Sequence, residues 1–126
     1  MKTRKPDPTL CIVVPCFNEE AVLPRLFERL INLSNSMSSP VRILLVDDGS
    51  SDSTPGFIEK MCEKDDRFAC VRLSRNFGHQ VAVTAGLEVS EGDLVAVLDA
   101  DLQDPPEEIL RMIEKWREGY DVVFGV

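Results

Sequence analysis

What is scarce in this sequence narrows it first. There is one histidine, His79, and no two of the four cysteines (Cys11, Cys16, Cys62, Cys70) are spaced as Cys-x-x-Cys. A structural zinc site draws its ligands from closely spaced Cys and His, so zinc is not expected. Bases are also outnumbered: 14 Lys and Arg against 22 Asp and Glu give a formal charge of -8. A general nucleic-acid-binding surface would be basic, so nucleic acid is not an expected partner. No apolar run approaches the roughly 20 residues that span a bilayer. The stretch from Met1 to Thr9 is short, charged and proline-bearing, without the apolar core of a secretory signal. It reads as a flexible lead-in (1–9) to a soluble, cytoplasmic segment whose four thiols are reduced. Glycine-rich phosphate loops are missing too. There is no Gly-x-x-x-x-Gly-Lys-Ser/Thr, and no Gly-x-Gly-x-x-Gly follows the first apolar run, which removes the usual P-loop and dinucleotide readings.

What is present is a core-forming α/β pattern. Hydrophobic residues make up 44% of the chain, enough for one packed domain. Leu10 to Val14 is a buried strand that Pro15 is expected to end, since proline cannot donate to a ladder. Val22, Leu23, Leu26, Phe27, Leu30 and Ile31 then fall at helical spacing. The helix should start near Ala21, with Pro24 in its first turn, and give way to a loop from Asn32 to Pro40. Val41 to Val46 is a second strand. Thr54 as N-cap and Pro55 at the first helical position predict a helix with Phe57, Ile58 and Met61 inward, closed by Asp65-Asp66. Phe68 to Leu73 is a third strand. Gln80 to Val89 is a short helix with Val81, Ala82, Ala85 and Val89 inward, and Gly86 within it is either a close-packing position or a tolerated glycine.

Leu94 to Leu98 is a fourth strand. Beyond it Asp104 caps a helix with Pro105 at its first position, Glu107 three residues after the cap, and Ile109, Leu110, Ile113 and Trp116 as its buried stripe. Gly119 is a natural residue just past its end, and Asp121 to Val126 begins a fifth strand. Strict alternation of strands and helices means a parallel sheet with helices on both faces.

In such a sheet the carboxyl ends of all strands share one edge, where open α/β sheets bind ligands. That edge collects Pro15-Cys16-Phe17-Asn18-Glu19, Asp47-Asp48, Arg75-Asn76-Phe77-Gly78 and Asp99-Ala100-Asp101-Leu102-Gln103. Asp99 and Asp101, one residue apart, with Gln103 as a third oxygen donor, suit Mg²⁺ or Mn²⁺ better than zinc. The acids Asp47, Asp48, Asp99 and Asp101 would repel one another without a cation or a base. Arg75 is the base placed to meet a phosphate. His79 reads more readily as a loop or packing residue than as a ligand contact. Cys16 is a poor nucleophile, with no histidine near it in sequence and burial raising its pKa.

These four stretches, in this order, resemble those of family-two inverting glycosyltransferases of the GT-A fold. The matching runs are Val14-Pro15-Cys16-Phe17-Asn18-Glu19-Glu20, Leu45-Val46-Asp47-Asp48-Gly49-Ser50-Ser51-Asp52, Arg75-Asn76-Phe77-Gly78-His79 and Asp99-Ala100-Asp101-Leu102-Gln103-Asp104-Pro105-Pro106-Glu107. The last two runs point to the polyprenyl-phosphate sugar transferases, the branch of dolichol-phosphate mannose synthases and bactoprenol glucosyl and aminoarabinosyl transferases. The resemblance implies a Rossmann-like GT-A fold, with residues 10–126 as the nucleotide-sugar-binding part and the acceptor part missing. It implies a UDP- or GDP-sugar donor, and Mg²⁺ or Mn²⁺ held by Asp99, Asp101 and Gln103. Pro15, Phe17 and Glu19, completed by Val46 and Asp48, would line a nucleobase pocket, with Asp47 beside it and Ala100 on the ribose side. Asn18, Arg75 and Gly78 belong to the same donor-binding set. The family often carries tyrosine where this chain has Phe17, so a hydroxyl contact to the base is lost.

The implied reaction is inverting sugar transfer to a polyprenyl phosphate, catalysed through Asp99 and Asp101. The membrane would be engaged through the missing C-terminal part, on its cytoplasmic face, and a homo-oligomer is allowed. A family-two enzyme with a polysaccharide or other acceptor is the nearer alternative. Two readings come from other classes. A phosphoryl-transfer domain of the receiver or haloacid-dehalogenase kind needs its acids earlier in the chain. A non-catalytic nucleotide-sugar-binding module would keep the pocket without transfer.

Overall fold

The structure is a computed structural model that describes residues 9–37, 40–100 and 108–117. Its centre is a parallel sheet of β1 (Leu10–Cys16), β2 (Val41–Asp47), β3 (Phe68–Arg72) and β4 (Leu94–Val97), in the order β3-β2-β1-β4. The register runs Leu10 to Cys16 of β1 against Val41 to Asp47 of β2, and Leu10 to Val13 against Leu94 to Val97 of β4. The helices are α1 (Leu23–Asn35), α2 (Thr54–Lys64), α3 (His79–Val89) and α4 (Glu108–Arg117).

Strand alternation sorts the core into two layers. Leu10, Ile12, Val14 and Cys16 of β1 join Val41, Ile43 and Leu45 of β2 beneath Leu26 and Leu30 of α1, Ile58 and Met61 of α2, and Ile109 and Ile113 of α4. The intervening residues, Cys11, Val13, Leu44 and Val46, pack on the other face against Ala82 of α3. All of β1 is buried, as a central strand covered on both faces should be. On α1, Leu23, Leu26 and Leu30 are completely buried. Each contributes about 1.5–3 kcal/mol of hydrophobic stabilisation.

Gly86 is a close-packing position. A Cβ there would lie 2.5 Å from Val13 Cγ1 and 3.0 Å from Val46 Cγ2, so the missing side chain is what lets α3 lie on β1 and β2. The inward set of α3 differs from the expected one, however. Ala82 and Gly86 are buried, while Val81 and Val89 are exposed. Small residues make the contact because the helix sits so low on the sheet, and the larger valines are left at its flanks.

Other boundaries also move. Pro15 does not end β1, which runs through Cys16. Leu98 N–H donates to Val13 O across the β4 side. Two residues on, Pro15 faces the same side, beyond the end of β4, so its missing N–H breaks no ladder bond with β4, while pairing with β2 continues through Cys16 and Asp47. The loop expected from Asn32 begins later, because α1 continues to Asn35 with Leu33 and Ser34 buried and Ser34 Oγ donating to Leu30 O at 2.9 Å. The helix enters two residues after Ala21, with Pro24 in its first turn as required. Ser53, not Thr54, is the N-cap of α2; Thr54 is fully buried and serves a neighbouring loop instead. The third and fourth strands each stop one residue short of the expected end, at Arg72 and Val97. On α4, Ile109 and Ile113 are buried but Leu110 is exposed. The expected cap at Asp104, Pro105 and Glu107, the side chain of Trp116, Gly119, the fifth strand and the lead-in 1–8 lie outside the described residues.

Candidate functional site: the carboxyl edge between β1 and β4

The chain runs outward from β1 to β2 to β3, then returns through α3 to β4 on the other side of β1. The two directions part between β1 and β4, and a crevice opens at the carboxyl edge of such a switch point. A cavity of about 500 Å³ lies at this edge, lined by Pro15, Cys16, Phe17, Glu19, Asp48, Asn76, Gly78, His79, Ala82, Asp99 and Ala100. Four separate loops therefore converge on one space.

Two of those loops are knitted together. Asn18 adopts a left-handed backbone (φ 52°), which asparagine tolerates. Its Oδ1 accepts from Ser51 N at 2.9 Å and Asp52 N at 3.3 Å, while its own N–H donates to Ser50 Oγ at 2.9 Å. Glu19 N–H donates to Thr54 Oγ1 at 2.8 Å. Glu20 N–H donates to Asp52 Oδ2, and Ser53 N–H donates back to Glu20 Oε2. The segment after β1 is thus held by the segment after β2, and Phe17, 43% exposed, is presented from a fixed backbone.

The third loop is held by Asp48. Its carboxylate, almost fully buried, accepts from Phe77 N at 2.8 Å, Gly78 N at 3.1 Å and Asn76 Nδ2 at 3.3 Å. Asn76 Nδ2 also donates to Asp48 O. A carboxylate near the N-terminus of α3 is well placed electrostatically, and this one satisfies the backbone N–H groups that lead into the helix. Gly49 makes the approach possible. It has φ +69°, and a Cβ on it would lie 2.2 Å from Arg75 C and 2.3 Å from Asn76 N. These contacts set His79, the first residue of α3, over the cavity, with Nε2 3.8 Å from Asp99 Oδ1.

The predicted site residues fall into three groups. Pro15, Phe17, Glu19, Asp48, Gly78, Asp99 and Ala100 share the cavity wall. Asn18, Val46, Asp47 and Arg75 are not on it. Asn18 is a strut between loops. Val46 is fully buried under α3, on the face its strand position dictates. Arg75 lies over the Phe77 ring, its guanidinium carbon 4.7 Å from the centroid, a cation–π contact. Asp47 is buried behind the wall. Its Oδ1 accepts from Ser50 N at 3.3 Å, and its Oδ2 has no hydrogen-bond donor among the described residues, only Arg72 Nε at 3.7 Å. The third group, Asp101 and Gln103, lies outside the described residues. Among the described residues there is no cluster of three His, Cys, Asp or Glu that would by itself hold a metal.

Three wall residues were underweighted by sequence reasoning. His79 is one, and its signal was position: first after Gly78, at a helix start on the carboxyl edge. Asn76 and Ala82 are the others. Cys16 is on the wall but is held as the neutral thiol. Burial first, then the charges of Glu19 and Asp47, push its thiol up to about 12, and Sγ lies 3.5 Å from Val14 O. Among the described residues, the charged groups lining the cavity are carboxylates, with His79 beside them.

A parallel sheet with a cavity at its switch point, lined after β1 by an aromatic ring and after β4 by a carboxylate, defines an open α/β protein with its candidate site at the carboxyl edge. Comparison narrows the class. Residues 11–126 match the model of glycosyl transferase family 2, and the chain belongs to that family. It is 46% identical over 115 residues to an uncharacterised glycosyltransferase, YkcC, of Bacillus subtilis, covering 91% of this chain and 36% of that one. It is also 46% identical over 125 residues to the undecaprenyl-phosphate 4-deoxy-4-formamido-L-arabinose transferase of Pseudomonas paraeruginosa, covering 97% and 37%. The chain therefore spans little more than a third of the length of these relatives. Among solved structures it matches the mannosyltransferase PcManGT of Pyrobaculum calidifontis in complex with GDP-Man and Mn²⁺, with a TM-score of 0.71, 25% identity, and coverage of 93% of this chain and 34% of that one. The expected GT-A type of α/β fold is the observed one.

Proposed function

We propose that this chain is the donor-binding part of a glycosyltransferase that moves a sugar from a UDP- or GDP-sugar to a polyprenyl phosphate, with inversion at the anomeric carbon. The observation that carries the proposal is the switch-point cavity, where the Phe17 ring and the Asp99 carboxylate line one space large enough for part of a nucleotide sugar. The formamido-arabinose transferase relative supports the lipid-phosphate acceptor, and the GDP-Man complex supports a nucleotide-sugar donor.

Each wall residue has work that its chemistry allows. Phe17 offers a face for stacking on the nucleobase, held in place by the Asn18 bonds. Asp48 fixes the loop from Asn76 to Gly78, and with it the far wall. Ala100, buried and small, leaves room beside Asp99 for the ribose. The donor set fits a hard divalent cation. Asp99 is a half-exposed carboxylate on a wall that also carries Glu19 and Asp48, and Asp101 and Gln103 would complete its oxygen ligands. When bound, Mg²⁺ or Mn²⁺ supplies charge neutralisation to the departing nucleoside diphosphate. A phosphomonoester with a second pKa of about 6 is already largely anionic at neutral pH, so the acceptor needs no strong protein base.

No described helix is long and apolar enough to cross a membrane. Action at the cytoplasmic face of a bilayer is part of the proposal, supported by the lipid-phosphate acceptor of the formamido-arabinose transferase relative. The test is transfer by the full-length protein from UDP-glucose, a UDP-aminosugar or GDP-mannose to undecaprenyl phosphate. A lipid-linked sugar monophosphate, formed with one donor and abolished by EDTA, is expected. Transfer to a polysaccharide or protein acceptor, with none to the lipid phosphate, overturns the acceptor assignment.

A further inference from the structure

Away from the cavity, two thiols meet at the sheet edge. β3 is the outermost strand on its side, and its residues alternate between faces. Phe68 packs into the layer under α1 and α2, while Ala69 and Val71 turn towards α3. Cys70 therefore projects to the α2 face, and it is exposed. On α2, Ile58 and Met61 are buried in that same layer and Cys62, half-buried, packs against it. The helix and the strand are joined by a tight turn, with Phe68 N–H donating to Asp65 O at 3.1 Å. From that turn the helix climbs about 4.5 Å to Cys62 at 1.5 Å per residue. The strand climbs about 6.6 Å to Cys70 at 3.3 Å per residue. The two residues fall within about 2 Å of the same height, on the same face of the sheet edge, and the two thiols are close enough to interact.

We propose that Cys62 and Cys70 form a redox-modification site, at which a low-molecular-weight disulfide of the glutathione class converts the two thiols into an intramolecular disulfide joining α2 to β3. Exposed Cys70 is the attacking group. Its thiolate displaces one thiol from the small disulfide and forms a mixed disulfide on Cys70. Burial first, then the charge and hydrogen bond of Cys70, hold the Cys62 thiol up at about 12. Once Cys70 is in the mixed disulfide it carries no charge, so one barrier to ionising Cys62 is gone. Cys62 loses its proton to solvent, attacks Cys70 Sγ and releases the second small thiol. Two protein thiols are oxidised, one small disulfide is reduced to two thiols, and no other reagent is required. Cys11 and Cys16 take no part. Both are buried on β1 and point to opposite faces of the sheet.

The test is intact-mass analysis and peptide mapping after incubation of the full chain with excess oxidised glutathione at pH 8. The expected product has lost the mass of two hydrogen atoms, contains a Cys62–Cys70 cross-link and reverts with dithiothreitol. In Cys62→Ser the reaction should stop at a glutathione adduct on Cys70, whereas in Cys70→Ser no adduct should form on Cys62, the result expected if Cys70 reacts first. A wild-type protein that also stops at the Cys70 adduct overturns the proposal. So does one whose thiols are unchanged, or one that forms cross-links only between chains.

Discussion

Gly49→Ala is the substitution through which the geometry of the site can be weighed. Gly49 has φ +69°, and its missing Cβ would fall 2.2 Å from Arg75 C, 2.3 Å from Asn76 N and 2.7 Å from Arg75 O. All three atoms are backbone, so no rotamer change relieves the overlap. Holding an alanine in the left-handed region costs about 1–2 kcal/mol. Pushing the Arg75–Asn76 segment aside adds about 1–3 kcal/mol, the range for overpacking a filled site. The expected loss is therefore about 2–5 kcal/mol. At an m-value of about 2 kcal/mol per M, the urea midpoint falls by about 1–2.5 M. The displaced segment also carries the N–H groups of Phe77 and Gly78 that Asp48 accepts, so donor binding should weaken in the same variant. Gly56→Ala is the control. Gly56 lies within α2 and nothing lies within 4 Å of its added Cβ. Relief of the helical glycine penalty should stabilise it by about 0.5–1 kcal/mol. A Gly49→Ala protein within about 0.5 kcal/mol of wild type, the scatter of an ordinary surface change, would refute the reasoning.

Other expectations follow from the same contacts. Gly86→Ala should destabilise by about 1–2 kcal/mol in urea, overpacking against Val13 and Val46 outweighing the gain in helix propensity. Thr54→Val keeps the shape of a fully buried side chain but removes the acceptor for Glu19 N–H, so a loss of about 1–3 kcal/mol should appear by denaturation, with Thr54→Ser closer to wild type. The raised Cys16 pKa stabilises the protonated fold. Stability should be unaffected by this group below its ordinary value of 9.0 and fall as pH rises from there towards about 12, a slope that Cys16→Ala removes from thermal melts. Asp65 has the opposite sign. The Arg67 side chain bonded to it holds its carboxyl below the usual value of 3.8, so its contribution is present above that pH and is lost on acidification below it; Asp65→Asn should flatten that limb of an acid titration.

The sheet was legible because apolar runs of strand length alternate with helical spacing, and the first four of those runs are parallel strands. What failed at the boundaries failed for tertiary reasons. Pro15 reads as a stop in isolation, yet it lies beyond the reach of β4 and costs the sheet nothing there. Thr54 has the chemistry of a cap, but its hydroxyl is claimed by Glu19 from another loop. Val81 and Val89 have the right character for a core, and lose to Ala82 and Gly86 because α3 approaches too closely for larger side chains.

The site was legible as an edge rather than as a contact list. Placing acids and an aromatic after successive strands located the cavity. The chain pattern could not show that Asn18 and Asp48 spend their bonds on neighbouring loops. Nor could it show that Arg75 stacks on Phe77, or that His79 leans towards Asp99. Those depend on the direction in which side chains leave their loops, and the Asn18 and Asp48 bonds join loops about 30 residues apart in sequence.

The central claim is that this cavity binds a nucleoside diphosphate through a hard cation on Asp99. Calorimetric titration of UDP and of GDP, each with and without Mn²⁺, into wild type, Asp99→Ala and Asp104→Ala tests it most directly. Binding of one nucleotide that requires Mn²⁺, is lost in Asp99→Ala and survives in Asp104→Ala is the predicted result. Binding that ignores the metal, or that Asp99→Ala leaves intact, would contradict it.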